Sequence, residues 1–356
     1  MVEKSDPALS RAGLAMPARI SAVGSVLERL TKTEGVAITL VLLLLIALFM
    51  VTAPRAFTGY RVYMSFMATV PPPLIIALGL TLLATAGEMD LSFPSVVAFA
   101  SYVFSALYQN YELTWLALLA ALMTGLVLGF LNGLIITQLG IPSLIATLAT
   151  LFLWGGLVTV ISNGISIAIP DIVNETNHTL FVGRIGVFPV QMLWAIAAVV
   201  AIWLILHRHR FGEAILFIGD DPRVAKVVGI STEVEKIKLF TLMGALSAFA
   251  GVLLTMETNS YFSSQGMGYL LIVIASVFIG GTSIFGGSGK VIGTMVGAMI
   301  VAIIEAGLVA SGIRGFWTQF FIGAVFIVSV TLNTAIEDPD RVPLFKKFRS
   351  RTRSSQ

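Results

Sequence analysis

The sequence predicts an all-α, polytopic membrane protein of about ten transmembrane helices. Three observations carry that reading. Of the 356 residues, 57% are hydrophobic and only 12% charged, against about a quarter charged in a soluble domain, and the mean hydropathy is +0.94. The apolar residues fall in runs of about 17 to 25, the length a helix needs to cross a hydrocarbon layer roughly 30 Å thick while satisfying its own backbone. The basic residues are divided very unequally between the connections.

The apolar runs lie near 36–52, 63–87, 93–108, 114–136, 144–162, 189–206, 239–257, 269–285, 291–311 and 317–335. Ten crossings put both termini on one side. The 1–35 segment holds five basic residues, the 207–238 loop six and the tail after Asn333 six, with Lys290 alone in its turn. The opposite connections hold Arg55, Arg61, Arg184 and Arg314. This split of 18 to 4 predicts a cytoplasmic N-terminal segment (1–35), a transmembrane domain (36–335) with a cytoplasmic loop at 207–238, and a basic cytoplasmic tail (336–356). The first apolar run begins too late, and is too poorly flanked, for a cleavable leader. The chain has no cysteine, which excludes thiolate metal sites, disulfides and Cys nucleophiles. A net charge of +3 on so apolar a chain is no nucleic-acid signal.

Two features mark the helices internally. Pro71, Pro72 and Pro73 interrupt the second run, so that residues 62–70 form a separate interfacial segment and Pro71 opens the deeper helix. Small residues recur at four-residue spacing, as Gly125, Gly129 and Gly133 and again as Gly293 and Gly297. Such faces let helix backbones pack closely. A short echo, Asn132-Gly133-Leu134 before Ile141-Pro142 and Ala306-Gly307-Leu308 before Ile313, falls in opposite orientations and hints at an inverted repeat.

Catalytic chemistry is absent. The run from Gly280 to Lys290 is glycine-rich, but Ile284 and Val291 stand where a phosphate loop needs Gly and Ser/Thr. It reads as a tight turn between helices. His178, His207 and His209 have no second ligand at helical spacing, so no metal site is expected. No Ser stands in a nucleophile-elbow pattern, and the chain is not expected to be an enzyme.

Two constructions suit transport. Asp221-Pro222-Arg223-Val224-Ala225-Lys226-Val227-Val228-Gly229 reads as one short helix: Asp221 caps it, Pro222 takes the first turn and Gly229 ends it. Arg223 and Lys226 share one face, and Val224, Val227 and Val228 another. Such a helix inserts into a groove on a soluble partner or lies at the membrane surface. The second construction is Gly87-Glu88-Met89-Asp90-Leu91-Ser92, between the second and third runs. Two carboxylates this close to apolar runs need water or partners. Asp90 and Ser92 either cap the helix at Pro94 or, with Glu88, contact the substrate path or gate it.

These residues resemble the membrane permeases of ATP-binding-cassette sugar importers, the group that takes up ribose, xylose and galactose. The resemblance runs from about Phe57 to Asn333. Its landmarks come in order: Gly87 to Ser92; Asn132 to Thr137 leading to Ile141-Pro142-Ser143; Ile145-Ala146-Thr147-Leu148; Gly219 with Ala225 and Gly229-Ile230; Gly266-Met267-Gly268-Tyr269; and Gly280-Gly281-Thr282-Ser283 with Gly286-Gly287. It implies that 221–229 is the coupling helix that docks on a cytoplasmic ABC ATPase. It also implies a second permease copy, a periplasmic sugar-binding protein and a multi-pass place in the bacterial inner membrane. ATP and Mg would sit on the ATPase, with no cofactor on this chain. Glu88, Asp90, Ser92 and Asn132 are the candidates for the translocation path or gate. The chain departs from the family's usual pattern at three places: Glu88 replaces a Gly, Phe93-Pro94 replace Val-Gly, and Leu270 and Ile272 replace an acidic pair. Related permeases carry branched-chain amino acids, which leaves that substrate class as an alternative. A reading from another class is an ion-coupled carrier or channel that uses Glu88 and Asp90.

Overall fold

The computed structural model describes residues 36–337. The expected N-terminal segment 1–35 and the tail from residue 338 lie outside the described residues. The chain is built of helices, in order α1 (Val36–Thr52), α2 (Tyr60–Thr69), α3 (Pro71–Thr85), α4 (Phe93–Tyr111), α5 (Thr114–Leu139), α6 (Ser143–Ile161), α7 (Gln191–Arg208), α8 (Arg210–Asp220), α9 (Pro222–Val227), α10 (Thr232–Thr258), α11 (Tyr269–Ile279), α12 (Val291–Ala310) and α13 (Thr318–Glu337). Two short antiparallel pairs, Ile167–Ala168 with Ser260–Tyr261 and Arg184–Ile185 with Phe188–Pro189, tie one set of loops together. It is a polytopic, all-α membrane protein. Among the described residues, five helices are each long and apolar enough to cross a membrane, and the bent α2–α3 pair makes a sixth.

Every expected apolar run carries a helix, with instructive differences at the ends. The three prolines put a bend of 51° between α2 and α3, with Pro71 in the first turn of α3, as its fixed φ and missing N–H favour. Helix α11 stops at Ile279 rather than 285, because Gly281 takes φ +87 and lets the chain turn. Helix α10 begins at Thr232 rather than 239, its first turns carrying Glu233, Glu235, Lys236 and Lys238. All four are good helix formers, and hydropathy alone reads them as loop. Helix α8 also falls inside the expected loop. It buries Gly212, Ala214, Ile215 and Ile218 along one face, a period set by amphipathicity rather than by an apolar run.

Helix α3 is the axis of the bundle. All fifteen of its residues are buried, and α7, α10, α11 and α12 pack around it. Leu44 of α1, Phe152 and Val160 of α6 and Ile327 of α13 are exposed on the flanks, the surface that lipid covers in a membrane protein. At one end of the bundle lie the 86–92 and 140–142 connections, α8, α9 and the 280–290 turn. At the other lie the 112–113, 162–190, 259–268 and 311–317 connections, with Tyr60, Tyr111, Trp115 and Trp317 exposed as an interfacial belt requires. The two copies of the sequence echo fall at opposite ends: Asn132 near the α9 end of α5, and Gly307 near the far end of α12, against the Phe49 ring.

Candidate functional site

Helix α3 ends on Gly87, whose φ of +74 is the left-handed conformation that glycine adopts without strain. Glu88 N–H donates to Leu83 O and Gly87 N–H to Ala84 O, both at 2.9 Å, the paired bonds that close a glycine-capped helix. Residues 88–92 then form an irregular connection, with Glu88, Asp90 and Ser92 exposing 8%, 2% and 0%. Helix α6 holds this connection by its backbone. Met89 N–H donates to Ser143 Oγ at 3.1 Å and Leu91 N–H to Thr147 Oγ1 at 3.0 Å.

Side chains continue the network inward. Trp154 Nε1–H donates to Asn132 Oδ1 at 3.0 Å, Asn132 Nδ2–H to Ser92 Oγ at 2.7 Å, and Ser92 Oγ–H to Asp90 Oδ1 at 2.6 Å. The Ser92 backbone N–H also reaches Asp90 Oδ1, at 2.7 Å. Every donor points toward Asp90, which suits a carboxylate that can only accept. Burial pushes the Asp90 carboxyl up to about 6, and the two bonds from Ser92 pull it back. Ser92 stands at the N-cap of α4, but its hydroxyl makes no capping bond. It is spent on Asp90 instead. Three of the four path candidates, Asp90, Ser92 and Asn132, therefore form one buried chain, while Glu88 faces the other way and pairs with Lys236 of α10.

Helix α9 has the predicted form. Asp221 Oδ1 accepts from Arg223 N–H at 2.7 Å and from Val224 N–H at 3.4 Å, and Pro222 opens the first turn. Gly229 at φ +87 ends the helix, with Ile230 N–H donating to Ala225 O at 3.0 Å. Ala225 is buried, whereas Val224, Val227 and Val228 expose 51%, 87% and 59%. Lys226 Nζ meets Glu233 Oε1 at 2.5 Å. Glu233 and Lys236 stand one turn apart at the start of α10, so ion pairs run in series from α9 through α10 to Glu88. A cleft of about 340 Å³ beside them is lined by Glu88, Ser143, Pro222, Lys226, Glu233 and Lys236.

The glycine faces bring backbones together. A Cβ on Gly125 would stand 2.3 Å from Gly244 O, one on Gly129 2.2 Å from Phe240 O, and one on Gly133 2.8 Å from Ile237 Cα. This stripe is the seam between α5 and α10. Gly293 and Gly297 serve α11 in the same way, against Gly280 O at 2.0 Å and Ser276 O at 2.2 Å. The 280–290 turn packs on α3, with Gly287 N–H donating to Thr85 O at 2.9 Å. Gly219 of α8 sits in the same spot, where a Cβ would lie 1.9 Å from Thr85 O.

The sequence matches the family described as branched-chain amino acid transport system, permease component, over residues 62–330, from α2 into α13. The chain belongs to this family. The permease is 31% identical over 262 residues to the ribose import permease protein of Bacillus subtilis (strain 168), covering 73% of this chain and 80% of that one. It is 29% identical over 264 residues to an autoinducer 2 import system permease protein of Salmonella paratyphi B, covering 72% and 78%. A second autoinducer 2 import permease, from Photorhabdus laumondii, is 29% identical over 289 residues, covering 80% and 85%. No solved structure matches the permease.

Landmarks quoted separately in the sequence meet in space: Ser143 and Thr147 hold the backbone of the Gly87–Ser92 landmark, and Gly219 abuts the Gly280–Gly287 landmark. Lys236, Trp154 and Gly244 were not singled out from sequence. Lys236 was one basic residue among six in a loop, and Trp154 lay in an unbroken apolar run. A buried asparagine such as Asn132 signals that a donor or acceptor is near, but not which one.

Proposed function

We propose that this permease is the membrane-spanning subunit of an ATP-binding-cassette importer for a monosaccharide or a similarly hydroxylated small solute. The observation that carries the reading is the similarity, across most of the chain, to import permeases named for ribose and autoinducer 2. In this reading the chain crosses a bacterial inner membrane ten times with both termini in the cytoplasm, an orientation that its charge asymmetry supports. The α9 end is then cytoplasmic.

Helix α9 is the coupling helix. Its caps keep it helical at six residues, and its valines are exposed and available to a groove on an ATPase. The Lys226–Glu233 and Lys236–Glu88 pairs join it to the α3–α4 break, and the Asp90–Ser92–Asn132–Trp154 chain carries on from there into the bundle. ATP and Mg belong to the partner ATPase, and this chain binds no cofactor of its own. The other partners are a second permease copy, a periplasmic binding protein that delivers the solute to the outer end, and the surrounding lipid. ATP-driven closure of the ATPase biases the permease between inward-open and outward-open states.

An ion-coupled carrier would need Glu88 and Asp90 free to bind ions, and both are committed to partners within the protein. The description of the family favours one second reading, a branched-chain amino acid as solute. Uptake by host cells separates the two. Ribose uptake that depends on this chain, and that excess leucine leaves unchanged, supports the sugar reading; leucine uptake that ribose leaves unchanged supports the other.

A further inference from the structure

Helix α12 carries one carboxylate, Glu305, five residues from its outer end, and that residue is exposed. Among the described residues it makes no hydrogen bond or ion pair. A charge within a spanning helix does not rest against lipid. Such residues face a bundle interior, a partner or water.

The packing register shows what stands beside it. Gly280 meets Gly293, and Ser276 meets Gly297, so each step back along α11 matches a step forward along α12. Continued to the start of α11, the same register sets Tyr269 level with Ile304 and Glu305. Gln191, fully buried at the start of α7, donates from Nε2 to Glu257 Oε2 at 3.2 Å, and its Oε1 has no partner among the described residues.

We infer that Glu305 faces the aqueous solute path near its outer mouth and, with Tyr269, accepts hydrogen bonds from the hydroxyl groups of the transported solute. The location follows from the cost of an exposed charge in a spanning helix. The contact with a polyhydroxylated solute rests on the sugar-importer reading, since a carboxylate offers strong acceptors to hydroxyl donors.

The absence of cysteine from the chain makes the test direct. Glu305→Cys in the full chain, in host membranes, is treated with a charged, membrane-impermeant methanethiosulfonate, with the lipid-facing Phe152→Cys as control. The inference expects Glu305→Cys to be labelled at least about tenfold faster than Phe152→Cys, because only thiols in contact with water ionise and react. Equal, slow labelling overturns the location, and a disulfide between two copies at Glu305→Cys overturns it in favour of a subunit interface. Radiolabelled ribose is the probe for the contact. Glu305→Gln raises the KM for uptake about tenfold with little change in maximal rate, and Glu305→Asp recovers part of the loss. An unchanged KM in a labelled protein overturns the contact and leaves the location standing. If no ribose uptake depends on the unaltered chain, the sugar reading fails, and the labelling arm still decides where Glu305 lies.

Discussion

The two ends of the bundle are built on different principles. At the α9 end most buried polar groups are paired in sequence, Asp90 with Ser92, Ser92 with Asn132, Asn132 with Trp154 and Glu88 with Lys236, while Glu235 Oε2 at the start of α10 has no partner among the described residues. Backbone also meets backbone through Gly219, Gly286 and Gly287. At the other end the buried oxygens Thr114 Oγ1, Gln191 Oε1 and Asn259 Oδ1 have no partner among the described residues. A cleft of about 440 Å³ lined by Glu112, Thr114, Trp115 and Glu175 opens there. A closed network of short bonds and glycine contacts transmits displacement, because close-packed elements shift together rather than deform. An end with unspent polar groups is suited to water and to a delivered solute. In the proposed reading, the first end is where force enters and the second where solute enters.

Substitutions sharpen that contrast in order of expected size. Gly219→Val places atoms against the Thr85 and Gly287 backbones, neither of which can step aside, and should cost roughly 3 kcal/mol or more, the upper range for overpacking. The readout is a sharply lower melting temperature and poor recovery of the detergent-solubilised protein. Asn132→Ala strands the indole N–H of Trp154 and removes a donor from Ser92, for about 1–3 kcal/mol. Combined with Trp154→Phe it should cost less than the sum of the two, a coupling read from a thermal double-mutant cycle. Glu88→Gln or Lys236→Gln alone leaves a half-buried charge unpaired and should cost about 1 kcal/mol, while the double variant recovers part of it. Thr114→Val, at the far end, removes a hydroxyl with no partner among the described residues and should change stability by less than about 0.5 kcal/mol. A loss at Thr114 as large as that at Asn132 would erase the distinction between the ends.

What the sequence revealed follows the range over which each signal acts. That the apolar runs form helices, and their approximate bounds, was legible because apolar length is a local property, and the helical form of α9 was legible because Asp221, Pro222 and Gly229 are cap residues at fixed local spacing. The stripes at Gly125, Gly129, Gly133, Gly293 and Gly297 told which helix faces would pack closely, but not that Gly244 and Gly280 face them. The chain from Asp90 to Trp154 joins three helices, and the Glu88–Lys236 pair joins a helix break to the start of α10. Neither has a local signature. Helix α8 was missed because its burial is amphipathic, and the start of α10 because its charged residues look like loop to a hydropathy scale. Glu88 reads in sequence as an odd substitution for glycine, and its meaning depends on the lysine folded against it.

The central claim is that drive enters at α9. The most direct measurement co-purifies the tagged permease with the ATPase of its host, reconstitutes both in liposomes, supplies the host's solute-binding protein, and compares ATP-dependent uptake of radiolabelled ribose with and without Arg223→Glu and Lys226→Glu together. The account predicts that the variant still inserts in the membrane and that its uptake per ATP hydrolysed falls at least about tenfold. Unchanged uptake in the variant, or uptake by the permease alone under an ion gradient, would contradict it.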